Sequence, residues 1–203
     1  MSSAALDRFD VPAHAREPLA KWLELIAQWN ARIDLTAARS TDELHDLMLA
    51  DAIELARELP EARIPTGASV VDVGSGAGAP GLALAILRPD LRLTLVEPLT
   101  KRIAFLRTVL GTIGRSDIEL VRDRIEPIVK ARPRAWDVAI SRATLPPASW
   151  LPVGLALAPS AWALLAREEP VIPAGGAVVH DVTYAWPLTQ ASRRAIHVRQ
   201  DIA

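Results

Sequence analysis

The sequence predicts an α/β protein with a doubly wound, mostly parallel sheet, an antiparallel closing strand and helices added at the amino terminus. Three observations predict it. Strand-like and helical segments alternate from residue 68 to residue 165, as in parallel β-α-β units. Two amphipathic helical segments come before the first strand-like segment of the chain. The last two strand-like segments have no helix between them, so we expect them to pair as a hairpin.

The elements follow in order from periodicity and local signals. Apolar residues recur at helical spacing over 18–31. A second helix begins at Ser40, where Glu43 completes a capping box, and stops near Pro60. The predicted strands cover 68–73, 91–96, 118–121, 136–140, 162–165, 177–184 and 195–198, and the later helices cover 80–87, 101–113, 125–129 and 146–157.

Two aromatic and two polar residues of the leading helices are expected to pack or to face solvent. Trp22 and Trp29 lie seven residues apart on one helix face, which predicts packing. His45 and Asp46 are expected at the surface of the second helix.

Composition excludes several classes of protein. The chain has 203 residues, half of them apolar, and 23 basic against 24 acidic residues, a net charge of −1. This balance argues against nucleic-acid binding by global charge, although a local basic patch remains open. Without cysteine there is no disulfide or thiol nucleophile, and the four histidines show no metal-ligand spacing, so no metal is predicted. No apolar segment is long enough to span a membrane and no signal peptide is evident, so we expect a cytoplasmic protein.

A glycine-rich loop is the most informative segment. It covers residues 71–81, reads VDVGSGAGAPG, and connects a predicted strand to a predicted helix. Glycines there permit a sharp turn and close approach of a ligand at the carboxyl end of the strands. Glu97 ends the next strand, where a carboxylate can accept hydrogen bonds from both ribose hydroxyls of a nucleoside.

Two cofactor classes fit this loop. Gly76, Gly78 and Gly81 satisfy the G-x-G-x-x-G spacing of nicotinamide and flavin enzymes, so an NAD-dependent oxidoreductase is the alternative. However, Asp72 would repel a pyrophosphate, and Pro80 removes a backbone donor that a pyrophosphate would use. S-adenosylmethionine carries an ammonium and a sulfonium and no phosphate, so an acidic, glycine-rich pocket fits it better.

Several short motifs together resemble one methyltransferase family. They are Trp29-Asn30 with Asp34-Leu-Thr36, the glycine loop, Glu97 with Lys101-Arg102 and Phe105-Leu-Arg107, Arg124-Ile-Glu126, Ile140-Ser-Arg-Ala143 and Arg193-Arg194. Residues 70–143 resemble class I S-adenosylmethionine-dependent methyltransferases. The whole chain resembles the glucose-inhibited division protein B family, the 16S ribosomal RNA guanine-N7 methyltransferases.

The resemblance implies a Rossmann-like methyltransferase sheet, with residues 1–62 as an amino-terminal helical extension and 63–203 as the S-adenosylmethionine-binding domain, packed as one compact unit. It implies ribosomal RNA or the small ribosomal subunit as partner and a monomeric enzyme. It also implies cofactor contacts. The residues concerned are Asp72, Gly74, Ser75, Gly76, Gly78 and Ala79 at the methionine part, Glu97 at the ribose, Ile125 and Glu126 at the adenine, and Arg142 at cofactor or target.

No catalytic acid or base is assigned, because guanine N7 carries a free lone pair. Departures from the family pattern fall on the side that faces the target. Leu47 and Met48 replace an arginine–histidine pair, so only Asp51 remains of that motif; Asp34 replaces an asparagine, and Arg167 stands near a missing lysine–glycine pair. A paralogue with another acceptor, or a protein that binds cofactor without turnover, therefore stays open.

Overall fold

The computed structural model describes residues 6–57, 64–142 and 144–200. Two helices come first, α1 (Ala13–Asn30) and α2 (Thr41–Ala56). Helix α1 begins before the predicted start at Pro18, which lies inside it. A proline inside a helix removes one backbone donor and crowds the carbonyl group four residues earlier, which costs about 3 kcal/mol. Because Ala15 and Leu19 are both buried on one face, packing holds the extra turn in place.

The predicted start of α2 is confirmed. The Ser40 hydroxyl accepts a hydrogen bond from the Glu43 amide at 3.1 Å, which satisfies one free donor of the first turn. The Glu43 carboxylate in turn accepts from the Arg39 amide at 2.7 Å. The helix ends at Ala56, and the predicted stop near Pro60 lies outside the described residues.

Seven strands of the described part of the chain form one sheet, alternating with helices as predicted. They follow in the order β1 (Ser69–Val73), α3 (Gly81–Leu87), β2 (Arg92–Val96), α4 (Thr100–Ile113), β3 (Glu119–Val121), α5 (Ile125–Ala131), β4 (Val138–Arg142), α6 (Pro147–Leu157), β5 (Ser160–Leu165), β6 (Gly176–Ala185) and β7 (Ser192–Gln200).

The strand order across the sheet is β3-β2-β1-β4-β5-β7-β6. Strands β1 to β5 pair in parallel, and β7 is antiparallel to both its neighbours, which confirms the predicted antiparallel closing strand. The predicted hairpin of the last two strands also forms. The second strand of this hairpin, β7, lies between β5 and β6 in the sheet. The periodicity of the sequence does not reveal this strand order.

Alternate residues of each strand face two different cores. On one face, Val70 of β1 and Leu95 of β2 pack with helices α1 to α4. On the other face, Val71 and Val96 pack with α5 and α6. The amino-terminal helices therefore share the core of the sheet. The predicted domain boundary at residues 62–63 lies outside the described residues.

The expectation that His45 and Asp46 lie at the surface is wrong. Both side chains are buried, Asp46 completely. The Asp46 carboxylate accepts hydrogen bonds from the amides of Leu188 and Thr189 and from the Thr189 hydroxyl, the last at 2.7 Å. The turn between β6 and β7 covers this face of α2, and its free backbone donors provide the partners that a buried carboxylate requires.

Within the described ranges, no helix is long and apolar enough to cross a membrane. The same residues contain no group of three or more metal-ligating side chains that could hold a metal ion.

Candidate functional site

Three parallel strands bring most of the predicted site residues to one edge of the sheet. Val73, the last residue of β1, pairs with Val96 of β2, and Asp72 pairs with Ile140 of β4. The glycine loop follows β1, Glu97 follows β2, and Arg142 is the last residue of β4. As expected for an open α/β sheet, the candidate site lies beyond the carboxyl ends of the strands.

The glycine loop is anchored to the neighbouring strand and has a backbone that favours glycine. The amides of Gly74 and Ser75 donate to the Val96 carbonyl at 2.8 and 3.1 Å. Gly74, Gly76 and Gly78 have positive φ angles of 78°, 56° and 108°. A Cβ at Gly76 would meet only the Gly74 carbonyl oxygen, at 3.8 Å. The loop therefore presents bare backbone to open space at Gly76, as close approach of a ligand requires.

Trp22 of α1 supports this loop from below. Its indole nitrogen donates to the Ala77 carbonyl at 2.9 Å, and its ring lies 3.2 Å from where a Cβ of Gly78 would be. The side chain is fully buried. The sequence predicted packing for Trp22, but nothing in the periodicity shows that its polar atom contacts the glycine loop, 55 residues away.

Asp72 lies beneath the loop and is completely buried. One carboxylate oxygen accepts from the Gly81 amide at 3.0 Å, and the other has no partner among the described residues. Burial raises the pKa of Asp72 to about 7, against the opposing effects of the Gly81 amide and the Arg142 charge. The free protein thus holds a partly protonated carboxyl group here at neutral pH.

Glu97 is oriented by backbone donors on both sides. One oxygen accepts from the Gly76 amide at 3.0 Å and the other from the Leu99 amide at 2.9 Å. Arg102 lies 3.6 Å from the first oxygen. The carboxylate is therefore fixed against the edge of the glycine loop.

The two residues predicted at the adenine are not part of the lining of the loop cavity. Ile125 is in the first turn of α5 and packs in the core with Val71 and Val96. Glu126 is exposed. Neither residue lines the cavity beside the glycine loop.

The loop cavity has a volume of about 220 Å³. The glycine loop forms one wall, and Leu47 and Met48 of α2 form another. The resemblance implies an arginine–histidine pair at these two positions, and with leucine and methionine there this wall is apolar. Arg142 closes the cavity on the side of β4.

A second, larger cavity of about 520 Å³ adjoins the first, and Leu47 and Arg142 line both. Its other walls come from the segments after β4 and β5 and from Trp186 and Arg193. Arg142 therefore lies at the junction of the two cavities. The sequence predicted Arg142 as a site residue, but it did not predict the second cavity.

Asp51 fixes Arg142 at this junction. One Asp51 oxygen accepts from Arg142 Nη1 at 2.9 Å, and the other accepts from the Tyr184 hydroxyl at 2.7 Å and from Trp186 Nε1 at 2.9 Å. Arg142 Nη1 also donates to the Leu47 carbonyl. Burial and the adjacent Asp51 charge raise the pKa of Tyr184, so this hydroxyl stays a donor.

Comparison with known proteins decides the family. The GidB profile, described as rRNA small subunit methyltransferase G, matches residues 15–150. The chain belongs to this family. It is 38% identical over 134 residues to the ribosomal RNA small subunit methyltransferase G of Methylobacillus flagellatus, covering 66% of this chain and 62% of the relative. The protein of the same name from Nocardioides is 38% identical over 167 residues, covering 82% and 62%. The aligned part of the chain thus spans somewhat less than two thirds of these relatives.

Solved structures show the same fold at low identity. TrmN from Thermus thermophilus superposes with a TM-score of 0.57 at 21% identity, covering 85% of this chain and 53% of that one. A mutant of MtNAS in complex with S-adenosylmethionine gives 0.61 at 14% identity, covering 92% and 76%. The predicted Rossmann-like methyltransferase sheet and the resemblance to the glucose-inhibited division protein B family are therefore confirmed.

Proposed function

We propose that this chain transfers a methyl group from S-adenosylmethionine to small-subunit ribosomal RNA, at N7 of a guanine. The observation that carries the proposal is the pair of adjoining cavities, one walled by the glycine loop and both lined by Arg142. A methyltransferase needs such an arrangement, because donor and acceptor must meet at one point. The name and 38% identity of the curated relatives support the choice of acceptor.

The glycine loop and the carboxyl group beneath it fit the proposed cofactor; Gly74, Ser75, Gly76 and Ala79 line the loop cavity, whereas Asp72, Gly78 and Glu97 lie behind its lining. Gly76 leaves open space for it. The buried oxygen of Asp72 that lacks a described partner can accept from an ammonium group, whereas a pyrophosphate would be repelled. The cavity is smaller than the roughly 300 Å³ at which ordinary ligand pockets begin, so only part of the cofactor would be enclosed.

The proposed contacts follow the family pattern. The methionine part would be held by Asp72, Gly74, Ser75, Gly76, Gly78 and Ala79, the ribose by Glu97, and the adenine by Ile125 and Glu126. Glu97 is already oriented by two backbone amides. Arg142 would position cofactor or acceptor at the junction. The proposal also keeps residues 1–62 and 63–203 as two parts of one compact unit, acting as a monomer with the ribosome in the cytoplasm.

The chemistry needs little from the protein beyond positioning. The bound cofactor supplies an electrophilic methyl group on a sulfonium. Guanine N7 has a lone pair and no proton to lose, so no residue has to act as a general base. Holding two reactants in line can lower a barrier by roughly 7–11 kcal/mol. The chain contributes the glycine loop, the fixed Arg142 and a cavity that the acceptor guanine would fill, so that water is excluded.

Calorimetric titration with S-adenosylmethionine, beside NAD, tests the cofactor. We expect wild type to bind the methyl donor and Gly76→Arg to lose binding, because the new side chain enters the loop cavity. Gly111→Arg is the matched control, since a side chain at that helical glycine meets nothing within 4 Å. Binding of NAD alone would refute the proposal in favour of an oxidoreductase.

Transfer of a radiolabelled methyl group to unmodified small-subunit RNA, or to the small subunit, then tests the acceptor. Label mapped to guanine N7 is the expected result. Binding of the methyl donor without transfer to either substrate would contradict the proposed activity and leave a cofactor-binding protein or a paralogue with another acceptor.

A further inference from the structure

The larger cavity combines apolar walls with four charged side chains. Asp51 is occupied as the partner of Arg142, and the remaining three, Arg142, Arg193 and Glu168, are each held in place by a contact of their own. Arg142 is held by Asp51 at 2.9 Å. The Arg193 guanidinium lies over the Trp186 ring at 3.7 Å from its centroid. Glu168 is held by the amides of the two residues before it. Fixed charges of both signs around an apolar space are suited to a flat, polar-edged ligand.

Glu168 is the anionic member of this set. One carboxylate oxygen accepts from the amides of Ala166 and Arg167, both at 3.0 Å. These amides and the nearby Arg193 charge lower the pKa of Glu168. Its second oxygen has no hydrogen-bond partner among residues 6–57, 64–142 and 144–200. Glu168 is exposed and lines the larger cavity, so this oxygen is available as an acceptor to a ligand bound there.

Arg142 and Glu168 lie on different sides of the larger cavity, so they would face different edges of a bound purine. Arg142 lines both cavities and so lies on the cofactor side, whereas Glu168 lines only the larger one. A guanine with N7 turned to the cofactor places O6, an acceptor, on the same edge and its N1–H and N2–H donors on the far edge. Adenine carries a donor at position 6 and has no N1–H.

From this match we infer that Glu168 is a specificity-determining residue, which reads the N1–H and N2–H edge of an acceptor guanine bound in the larger cavity. The inference rests on the proposed function and deepens it. Arg142 is the donor toward O6 and leaves N7 free for the methyl group. Arg193, placed over the Trp186 ring, offers a guanidinium group against which a base can stack.

The test measures binding of guanosine, inosine and adenosine monophosphates to the protein saturated with S-adenosylhomocysteine. Inosine lacks only the N2 amino group, so wild type should prefer guanosine over inosine by roughly ten- to a hundredfold, as expected for a paired base contact. Glu168→Gln should bind guanosine more weakly and lose that preference, because its amide group opposes a donor with a donor. Glu169→Gln is the matched control: Glu169 pairs with Arg194 and does not line the cavity.

The inference is wrong if wild type shows no guanosine preference, if it binds none of the three nucleotides, or if Glu169→Gln loses the preference as fully as Glu168→Gln. Methyl transfer to ribosomal RNA, measured on the same preparations, distinguishes a failure of the role proposed for Glu168 from a failure of the proposed function. Transfer by wild type together with an unchanged preference in Glu168→Gln would overturn the role of Glu168 and leave the proposed function standing. Absence of methyl-donor binding would refute the proposed function itself.

Discussion

Asp51→Asn is the substitution that most directly tests how the junction between the two cavities is held. The Asp51 side chain is only 2% exposed and accepts hydrogen bonds from Arg142, Tyr184 and Trp186. Asparagine preserves the volume. It removes the negative charge and turns an amide group, which is a donor, toward at least one of these donors.

The expected loss of stability follows from these contacts. A hydrogen bond to a charged group contributes about 1.5–3 kcal/mol, and removing one partner of a buried ion pair costs about 3–5 kcal/mol. Arg142 is 17% exposed and keeps its bond to the Leu47 carbonyl, so part of that cost is relieved. We expect Asp51→Asn to lower the free energy of unfolding by about 2–3 kcal/mol.

Urea denaturation of wild type and variant gives the value directly. Asp42→Asn, at the exposed start of the same helix, is the control: its pair with Arg8 spans 3.6 Å between side chains that are each 54% exposed, and it should cost less than about 1 kcal/mol. A double-mutant cycle with Tyr184→Phe should show coupling to Asp51, since the two share a 2.7 Å bond. Equal losses for Asp51→Asn and Asp42→Asn, or additive effects in the cycle, would refute this account of the junction.

Four further predictions concern the glycine loop. Trp22→Phe removes the donor to the buried Ala77 carbonyl, so we expect a loss of about 1–3 kcal/mol in thermal or urea unfolding and weaker calorimetric binding of the methyl donor; unchanged binding would mean that this contact does not hold the loop. Gly74→Ala places a Cβ against Thr144 at a φ of 78°, so it should be destabilised by at least about 1–2 kcal/mol, and wild-type stability would contradict the loop geometry. Because burial raises the pKa of Asp72 to about 7 in the free protein, an ammonium ligand should ionise it and release protons at pH 6.5, seen as a buffer-dependent binding enthalpy that Asp72→Asn abolishes. The same raised pKa predicts that Asp72 contributes stability at low pH that is lost as the pH rises toward 7, measurable as a stability gain of Asp72→Asn relative to wild type over that range.

Contacts between residues close in sequence, or on adjacent strands, could be predicted from the sequence, whereas contacts between distant parts of the chain could not. The elements, the capping of α2 by Ser40 and the meeting of the glycine loop with Glu97 depend on periodicity and on adjacent strands, so they could be predicted. The contacts of Asp51 with Tyr184 and Trp186 join residues more than 130 positions apart and depend on where β7 enters the sheet. For the same reason the burial of Asp46 could not be predicted, since its partners belong to the turn after β6.

The late position of β6 and β7 in the chain has a consequence for folding. Trp186 and Arg193 line the larger cavity together with Leu47 of the second helix. Bringing Leu47 together with Trp186 and Arg193 closes a long loop of the chain, which costs conformational entropy. Contacts between residues distant in sequence also slow folding. The larger cavity is therefore complete only when the last hairpin has docked, and that docking gives the chain its second binding surface.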